Sequence, residues 1–312
     1  MENAKKIPLL CIVGPTASGK TALSIELAKM TKGEIVSADS MQIYKGMPVA
    51  SAVPSESERC GIPHHLLEFL EPTETFSVAD YVNLARQEIV AINNRGNLPI
   101  LVGGTGLYVN SIVDNIEFTS QATNEALRAS LEREFDELGG EVMLSRLAEF
   151  DPESAARLHA NNRRRIIRAF EVYRQTGKTV TEQNAQSRKN PSPYDLVMLG
   201  ITYKDREKLY ERINLRVDKM LENGLLEEAK KSVSLVGKGA GQAIGHKELL
   251  PYLRGEMPLS LAVENLKRET RRYAKRQLTW FGRDERINWL YADTEDVVLS
   301  AQKIIRRFAN EG

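Results

Sequence analysis

Cysteine is almost absent. Cys11 and Cys60 are the only two among 312 residues, too few for a disulfide framework, and Cys11 sits in an apolar run that reads as a buried strand. A reducing compartment is expected. Net charge is almost absent as well: 43 Lys and Arg face 42 Asp and Glu, so any attraction to a polyanion comes from where charges cluster and not from their sum. Long hydrophobic runs are missing. Met1 to Lys6 is polar, and the apolar stretch Ile7 to Val13 is too short for a signal-peptide core with its cleavage site or for a membrane span. These absences predict a soluble, cytoplasmic protein with no membrane partner. Histidine is scarce at 4 residues, and without Cys or His at zinc-ligand spacing, metal binding at His246 is discounted. No repeat or low-complexity tract occurs. What is present is a 42% apolar fraction, which excludes intrinsic disorder and suffices for a core divided between two domains.

The first third alternates short apolar runs with helical patterns: Leu9–Val13, a helix over Gly19–Met30, Glu34–Ser37, a helix over Val78–Asn93, then Ile100–Val102. That alternation predicts parallel strand–helix–strand units. Ser77 as N-cap, Asp80 after it and Gly96 just past the end bound the second helix, and Pro99 introduces the next strand. From Ile116 to Pro193 the strand signal disappears. Leu127, Leu131, Phe135 and Leu138 recur at helical spacing before a Gly139–Gly140 stop, and Asp151–Pro152 and Asn161–Asn162 offer further helix starts. Leu196–Ile201 restores a strand, followed by a helix bearing Leu209, Ile213, Val217 and Met220 and stopped at Gly224. A helix over Leu259–Phe281, a strand at Ile287–Leu290 and a helix ending near Phe308 complete the pattern. The expected organisation is α/β, with 1–115 as the first part of the core, 116–195 as an all-helical insertion and 196–312 as the core resumed.

Gly14-Pro15-Thr16-Ala17-Ser18-Gly19-Lys20-Thr21 fits G-x-x-x-x-G-K-[ST] between an apolar strand and a helix. Such a loop turns its N–H groups toward phosphate oxygens; Lys20 supplies a mobile cation and Thr21 a hydroxyl for Mg²⁺. The motif does not say which phosphate compound is held. ATP-cleaving proteins carry a second apolar strand ending in an acidic residue, whereas Ile100-Leu101-Val102 runs into Gly103-Gly104-Thr105-Gly106-Leu107-Tyr108. That sequence suits either close packing against a substrate at the strand edge or a tight strand-to-helix turn. Glu34–Ser37 likewise runs into Ala38-Asp39-Ser40-Met41-Gln42. Asp39 is a candidate general base or indirect Mg²⁺ ligand, and Gln42 a candidate reader of a purine edge; the alternative is a helix cap beside an exposed amide.

Lys267, Arg268, Arg271, Arg272, Lys275 and Arg276 occupy half of a helix surface, and Arg163, Arg164, Arg165 and Arg168 open another helix. One such cluster would read as a solvated face; two beside a phosphate site point to a polyanion. Tyr273, Trp280 and Phe281 are expected in the core in preference to stacking on a base. Gly237 to Lys247 reads as a loop, not a regular element, packed at a functional edge by Ala243-Ile244.

Gly14 to Thr21, Asp39-Ser40-Met41-Gln42-Ile43-Tyr44, Pro63-His64-His65-Leu66, Leu101 to Tyr108 and Lys275-Arg276-Gln277-Leu278-Thr279-Trp280-Phe281, in this order and spacing, closely resemble the bacterial tRNA dimethylallyltransferase family, the tRNA isopentenyltransferases. The likeness runs over essentially the whole chain. It implies a P-loop NTPase-like parallel sheet flanked by helices, with an all-helical insertion that meets tRNA. It also implies transfer of the dimethylallyl group of dimethylallyl diphosphate to N6 of the adenosine immediately 3′ of the anticodon, in tRNAs reading codons that begin with U. The implied partners are the tRNA anticodon stem-loop and dimethylallyl diphosphate, the cofactor is Mg²⁺, and the protein is a monomer.

By the same resemblance, Asp39 is the general base, Thr105 places the adenine or activates the site, and Arg128 contacts the substrates. Gly14, Pro15, Thr16, Ala17, Ser18, Gly19, Lys20 and Thr21 hold the diphosphate, with Thr21 at the metal. The segments implied to meet tRNA contain Asp39, Ser40, Met41, Gln42, Thr105, Arg128, Arg164, Arg165, Arg168, Gln242, Gly245, His246, Lys247, Lys275, Arg276, Gln277 and Trp280. Three places depart from the family pattern: Ala50-Ser51-Ala52-Val53-Pro54 stands where Gly-Thr-Ala-Lys/Arg-Pro is usual, His246 where tyrosine is frequent, and Gly282 where arginine is frequent. Rival readings are an adenylate isopentenyltransferase acting on a free nucleotide, a P-loop small-molecule kinase, and a nonenzymatic P-loop RNA-binding module. The helical insertion and basic helix speak against the first, the missing carboxylate after Val102 against the second, and Asp39 with Thr105 against the third.

Overall fold

In the computed structural model, which describes residues 6–118, 124–187, 190–231 and 239–309, the apolar run Ile7–Val13 forms β1. Its side chains alternate between two cores. Leu9, Cys11 and Val13 join one buried cluster, and Leu10 and Ile12 join another, the pattern of a parallel strand covered on both faces. The chain divides into two compact units, Met1–Val113 with Pro193–Gly312, and Asp114–Ser192.

In the first unit, β1 leads through the phosphate loop into α1 (Lys20–Thr31), β2 (Gly33–Ser37), two single turns α2 (Pro48–Ser51) and α3 (Glu56–Arg59), and the short β3 (His64–His65). Then come α4 (Val78–Asn94), β4 (Leu98–Gly103) and α5 (Gly106–Val113). The second unit holds α6 (Glu125–Phe150), α7 (Pro152–Ala156), α8 (Arg163–Thr176) and α9 (Val180–Ser187). The first unit resumes with β5 (Tyr194–Thr202), α10 (Arg206–Glu222), α11 (Leu225–Lys231), a 3₁₀ turn at Gly239–Gln242, α12 (His246–Leu253), α13 (Leu259–Phe281), β6 (Ile287–Tyr291) and α14 (Val297–Ala309).

The strands form one parallel sheet of six in the order β3-β2-β4-β1-β5-β6. Buried side chains of α4 and α5, among them Tyr81, Ile89, Val109 and Ile112, cover one face, and Leu23, Leu27, Ala301 and Ile305 of α1 and α14 cover the other. The start of α4 is the expected capping box: Ser77 Oγ accepts Asp80 N at 3.2 Å, and Asp80 Oδ2 accepts Ser77 N at 2.9 Å. At the β3 edge, Glu34 accepts from Arg95 Nη2 at 2.7 Å and Asn97 Nδ2 at 2.7 Å, and meets His65 Nε2 at 2.7 Å.

In the second unit the helical stretch of α6 breaks at Gly139, whose φ of 79° and ψ of 162° leave the helix. Leu131, Met143, Leu147, Ile166, Ile167 and Phe170 make its core. Asp151 caps α7 through Ser154 N at 3.1 Å and ties α9 through Thr181 Oγ1 at 2.6 Å.

The predicted 237–247 loop is corrected in part. Residues 239–242 form a 3₁₀ turn and His246 opens α12. The Gly237–Lys238 start of that loop and the Gln242 side chain lie outside what is described.

Candidate active site

Three neighbouring strands, β2, β4 and β1, deliver the motif residues to one sheet edge. Ser37 is in register with Val102 and Val13 with Gly103, so the loops that follow these residues open side by side at the carboxyl ends, where open α/β sheets bind ligands.

The phosphate loop is shaped by close approach. Gly14 has φ +142°, and a Cβ there would stand 2.2 Å from Ile201 O; only glycine fits. α1 begins at Lys20, so its free N–H groups belong to the loop. Lys20 Nζ donates to Pro15 O at 2.7 Å. Burial pushes the Lys20 ammonium down to about 7, with Arg216 adding to the fall and Asp39 opposing it. Burial also lowers the Arg216 guanidinium, again against the pull of Asp39. Lys20, Arg216 and Asp39 therefore share one electrostatic field. Thr21 is exposed in the first turn, and the buried hydroxyl of Ser18 has no hydrogen-bond partner among the described residues.

The Asp39 turn is stitched to the loop after β4. Asp39 Oδ1 accepts Met41 N at 2.8 Å, fixing a tight turn where a helix cap was the alternative. Thr105 Oγ1 accepts Ser40 N at 3.0 Å and donates to Ser40 Oγ at 3.3 Å, while Thr105 N donates to Ala38 O at 3.1 Å. Tyr81, stacked on Tyr108 at 3.9 Å, donates to Ser37 O at 3.0 Å from beneath. The structure thus brings Asp39, Ser40 and Thr105 together.

Three amide or imidazole side chains expected to meet RNA are spent inside the protein. Gln42 Oε1 accepts from Ser37 Oγ at 2.8 Å, and its Nε2 donates to Ser51 O at 3.3 Å and Ala52 O at 3.0 Å, so it offers no free purine-reading edge. Gln277, 5% exposed, accepts Thr16 N at 2.8 Å and donates to Gly104 O at 2.9 Å. A Cβ at Gly104 would strike that amide at 2.1 Å. His246 is 3% exposed and meets Glu228 Oε1 at 2.8 Å. Gly245, at φ +116°, opens the same helix, and Lys247 beside it is exposed.

The aromatic expectations divide. Phe281 is buried, but Trp280 is 41% exposed and donates Nε1 to Asn110 Oδ1 at 3.0 Å. Tyr273 is half-buried beside the site: burial and Asp39 push its phenol up, and hydrogen bonds with Thr105 and Gln277 pull it back.

The α13 basic face is less uniform than its spacing implies. Lys267 pairs with Asp218 at 2.7 Å, Arg271 donates to Asn214 at 2.6 Å, Arg272 pairs with Glu269 at 2.6 Å and exposed Arg268 lies 3.9 Å from the same carboxylate, leaving exposed Lys275 and Arg276, the latter over the Tyr273 ring, without an acidic partner among the described residues. On the second unit, Arg164 and Arg165 are exposed, Arg168 pairs with Glu171 at 3.3 Å, and Arg128 lies 3.4 Å from Glu132 and 3.9 Å from Glu171.

Sequence reasoning did not single out Arg216 or Glu228, and it expected Tyr273 in the core and not beside the site. A faint signal existed for Arg216, a charged residue one position before the buried Val217 on the apolar stripe of α10.

Known proteins are similar to this chain in sequence and in fold. The IPP transferase family matches residues 42–284. A tRNA dimethylallyltransferase of Acetivibrio thermocellus is 50% identical over 96% of this chain and 95% of its own length, and one of Bacillus subtilis is 45% identical over 100% and 99%. The crystal structure of a full-length tRNA isopentenylpyrophosphate transferase from Bacillus halodurans aligns with a TM-score of 0.73 at 42% identity, over 98% of each chain. A eukaryotic dimethylallyltransferase acting on tRNA aligns with a TM-score of 0.80 at 30% identity, over 96% of this chain and 77% of that one. The family match begins after the phosphate loop, and the full-length likeness carries it back through β1. On sequence and on structure alike, this chain belongs to the IPP transferase family.

Proposed function

We propose that this protein is a tRNA dimethylallyltransferase that alkylates N6 of the adenosine immediately 3′ of the anticodon, in tRNAs reading codons that begin with U, and releases diphosphate. The observation that carries this reading is that the glycine-rich loop after β1 and the loops bearing Asp39 and Thr105 after β2 and β4 open side by side at one sheet edge, with Lys20 and Arg216 both felt by Asp39: a cationic seat suited to a leaving anion beside a carboxylate suited to take a proton.

The chemistry follows from those groups. The loop N–H groups, Lys20 and Arg216 bind the diphosphate of the donor and hold its allylic carbon toward the base. The N6 lone pair forms the new bond to that carbon as the carbon–oxygen bond breaks, and the electron pair leaves with diphosphate, whose charge the loop and the two cations spread. Asp39 takes the proton released from N6, which a purine-conjugated amine gives up only with help. Thr105, bonded to Ser40, holds the Asp39 turn and so helps to place the adenine. The resemblance adds Arg128 as a further cation toward the substrates.

Mg²⁺ fits the donor set. Thr21 carries an exposed hydroxyl, Ser18 a buried unpartnered one, and no cluster of three or more His, Cys, Asp or Glu stands ready as a cage among the described residues. Hard oxygens few in number suit an ion that arrives with its phosphates. When bound it would neutralise diphosphate charge. Exposed Arg164, Arg165, Lys275 and Arg276 suit backbone phosphates of a folded RNA. Gln42, Gln277 and His246 act in this reading by positioning the loops and not by touching RNA. The target base must leave its stack to reach the carboxylate.

The deciding assay offers unmodified tRNA, AMP and ATP side by side, with Mg²⁺ and dimethylallyl diphosphate. Prenylated tRNA is expected. Prenylated AMP with unreacted tRNA would replace this reading with the free-nucleotide enzyme, and phosphoryl transfer from ATP alone with a kinase.

A further inference from the structure

The carboxylate of Glu228 on α11 is 8% exposed, in the apolar cluster of Val217, Leu225, Ala229, Leu249 and Leu266, and the transfer chemistry gives it no part. A carboxylate is costly to bury unless donors satisfy its oxygens. Among its donors are one short segment and one histidine: Val49 N at 2.8 Å, Ala50 N at 2.9 Å and His246 Nε2 at 2.8 Å. Val49 and Ala50 lie in the first turn of α2, where backbone N–H groups have no partner within the helix.

The other end of α2 is held from the active site. Gln42 Nε2 donates to Ser51 O and Ala52 O at 3.3 and 3.0 Å, and Gln42 Oε1 is fixed by Ser37 Oγ at 2.8 Å. Gln42 follows directly on the turn that Asp39 closes through Met41 N. One turn of helix thus joins the buried Glu228–His246 pair to the loop carrying the base. Moving α2 away would take two backbone donors, one on each oxygen, from a buried carboxylate, so the pair resists that motion. Among the described residues His246 Nδ1 has no partner, which leaves Nε2 as the fastening of the ring.

We propose that Glu228 and His246 are positioning residues, which hold the Asp39 loop for the transfer step through α2 and Gln42. This rests on the transferase reading of Asp39. Neither residue touches substrate.

The test combines amide hydrogen exchange over residues 39–52 with steady-state kinetics on the full chain. Glu228→Gln keeps the shape but turns one acceptor into a donor. Faster exchange across 39–52 is expected, with kcat down about 10- to 100-fold, the cost of a misplaced catalytic group, and KM for dimethylallyl diphosphate unchanged, because the phosphate loop is not fastened to α2. His246→Gln, which keeps an N–H donor for Glu228, should retain kcat, and His246→Leu should lose it; this pair decides the matter if Glu228→Gln does not fold. Unaltered exchange over 39–52, or equal kcat in the two His246 variants, overturns the proposal. So does a loss of activity that only tracks the unfolded fraction. If the unaltered chain prenylates no tRNA, the transferase reading fails on its own account, while exchange over 39–52 still reports whether the fastening exists.

Discussion

Gln277 Oε1 accepts the backbone N–H of Thr16 at 2.8 Å, although the two residues are 261 positions apart. The other end of the same amide donates to Gly104 O at 2.9 Å. A single side chain of α13 therefore ties the phosphate loop to the loop that carries Thr105. Gln277→Leu would leave a buried N–H and a buried carbonyl unpaired, each costing about 1–3 kcal/mol. We expect a lower melting temperature and weaker binding of dimethylallyl diphosphate, read by thermal denaturation and calorimetry. Unchanged donor affinity would reduce the clamp to a packing contact.

With Lys20 at the diphosphate, as proposed, donor binding acquires a pH dependence of stated sign. Its free-state pKa is about 7, and a bound diphosphate favours the ammonium, raising that value in the complex. Binding above pH 7 therefore takes up a proton, and affinity should fall as pH rises, by up to about tenfold per unit until the pKa of the complex is reached. Calorimetry in two buffers of different ionisation enthalpy reads the uptake directly. Lys20→Met should bind weakly and lose the slope; a slope that survives belongs to another group.

Asp39→Asn keeps size and polarity but cannot take a proton at neutral pH. Turnover is expected to drop by about 10²- to 10⁴-fold, the usual range for a lost general base, with tRNA affinity largely kept. Single-turnover assays and filter binding separate the two. Preserved chemistry with lost tRNA binding would reassign the residue.

Lys275 and Arg276 are better probes of RNA binding than Arg271 and Arg272, whose guanidinium groups are engaged by Asn214 and Glu269. Replacing Lys275 and Arg276 by Ala should weaken tRNA binding uniformly across sequences and lower the slope of log affinity against log salt by about one for each phosphate no longer neutralised. A salt titration with an unaltered slope would make α13 a merely solvated face.

Glu34 links pH to stability at the far edge of the sheet. Arg95, Asn97 and His65 hold its carboxyl down at about 2 against the opposing effect of burial. Its folded pKa lies below the unfolded value of about 4.5, so the stabilisation is complete above that value and is lost as pH falls from 4.5 toward 2. Glu34→Gln should lower the melting temperature at pH 7 and narrow the gap to wild type at pH 3. A gap of equal size at both pH values would refute the assignment.

Much of the frame was legible because local chemistry fixes it. The α13 boundaries follow the apolar period over Leu259–Phe281, the capping box of Ser77 and Asp80 starts α4, and Gly139 breaks the helical stretch after Leu138. Asp39 and Thr105 were legible as strand-end residues, since the carboxyl ends of adjacent parallel strands must open on one edge. Other features rest on partners far along the chain. Arg216 acquires meaning only when α10 lies beside the phosphate loop, and Glu228 bonds to amides 178 and 179 positions away. Residue type alone could not foresee that Gln42 is held by Ser37, Ser51 and Ala52 and Gln277 by Thr16 and Gly104, or that Tyr273, expected in the core, is half-buried beside Asp39 and Thr105. The glycines before His246 read as flexibility, whereas Gly245 serves as the turn that starts α12.

β1 lies between β4, which is synthesised before the helical insertion, and β5, which is synthesised after it. On the ribosome the insertion emerges with a core of its own while the strand leading into the donor cradle still has a bare edge. A nascent chain halted within the insertion would carry the complete glycine-rich motif without the Ile201 carbonyl that Gly14 packs against. Possession of the motif and completion of its packing thus arrive at different moments of translation, separated by the synthesis of an entire compact unit.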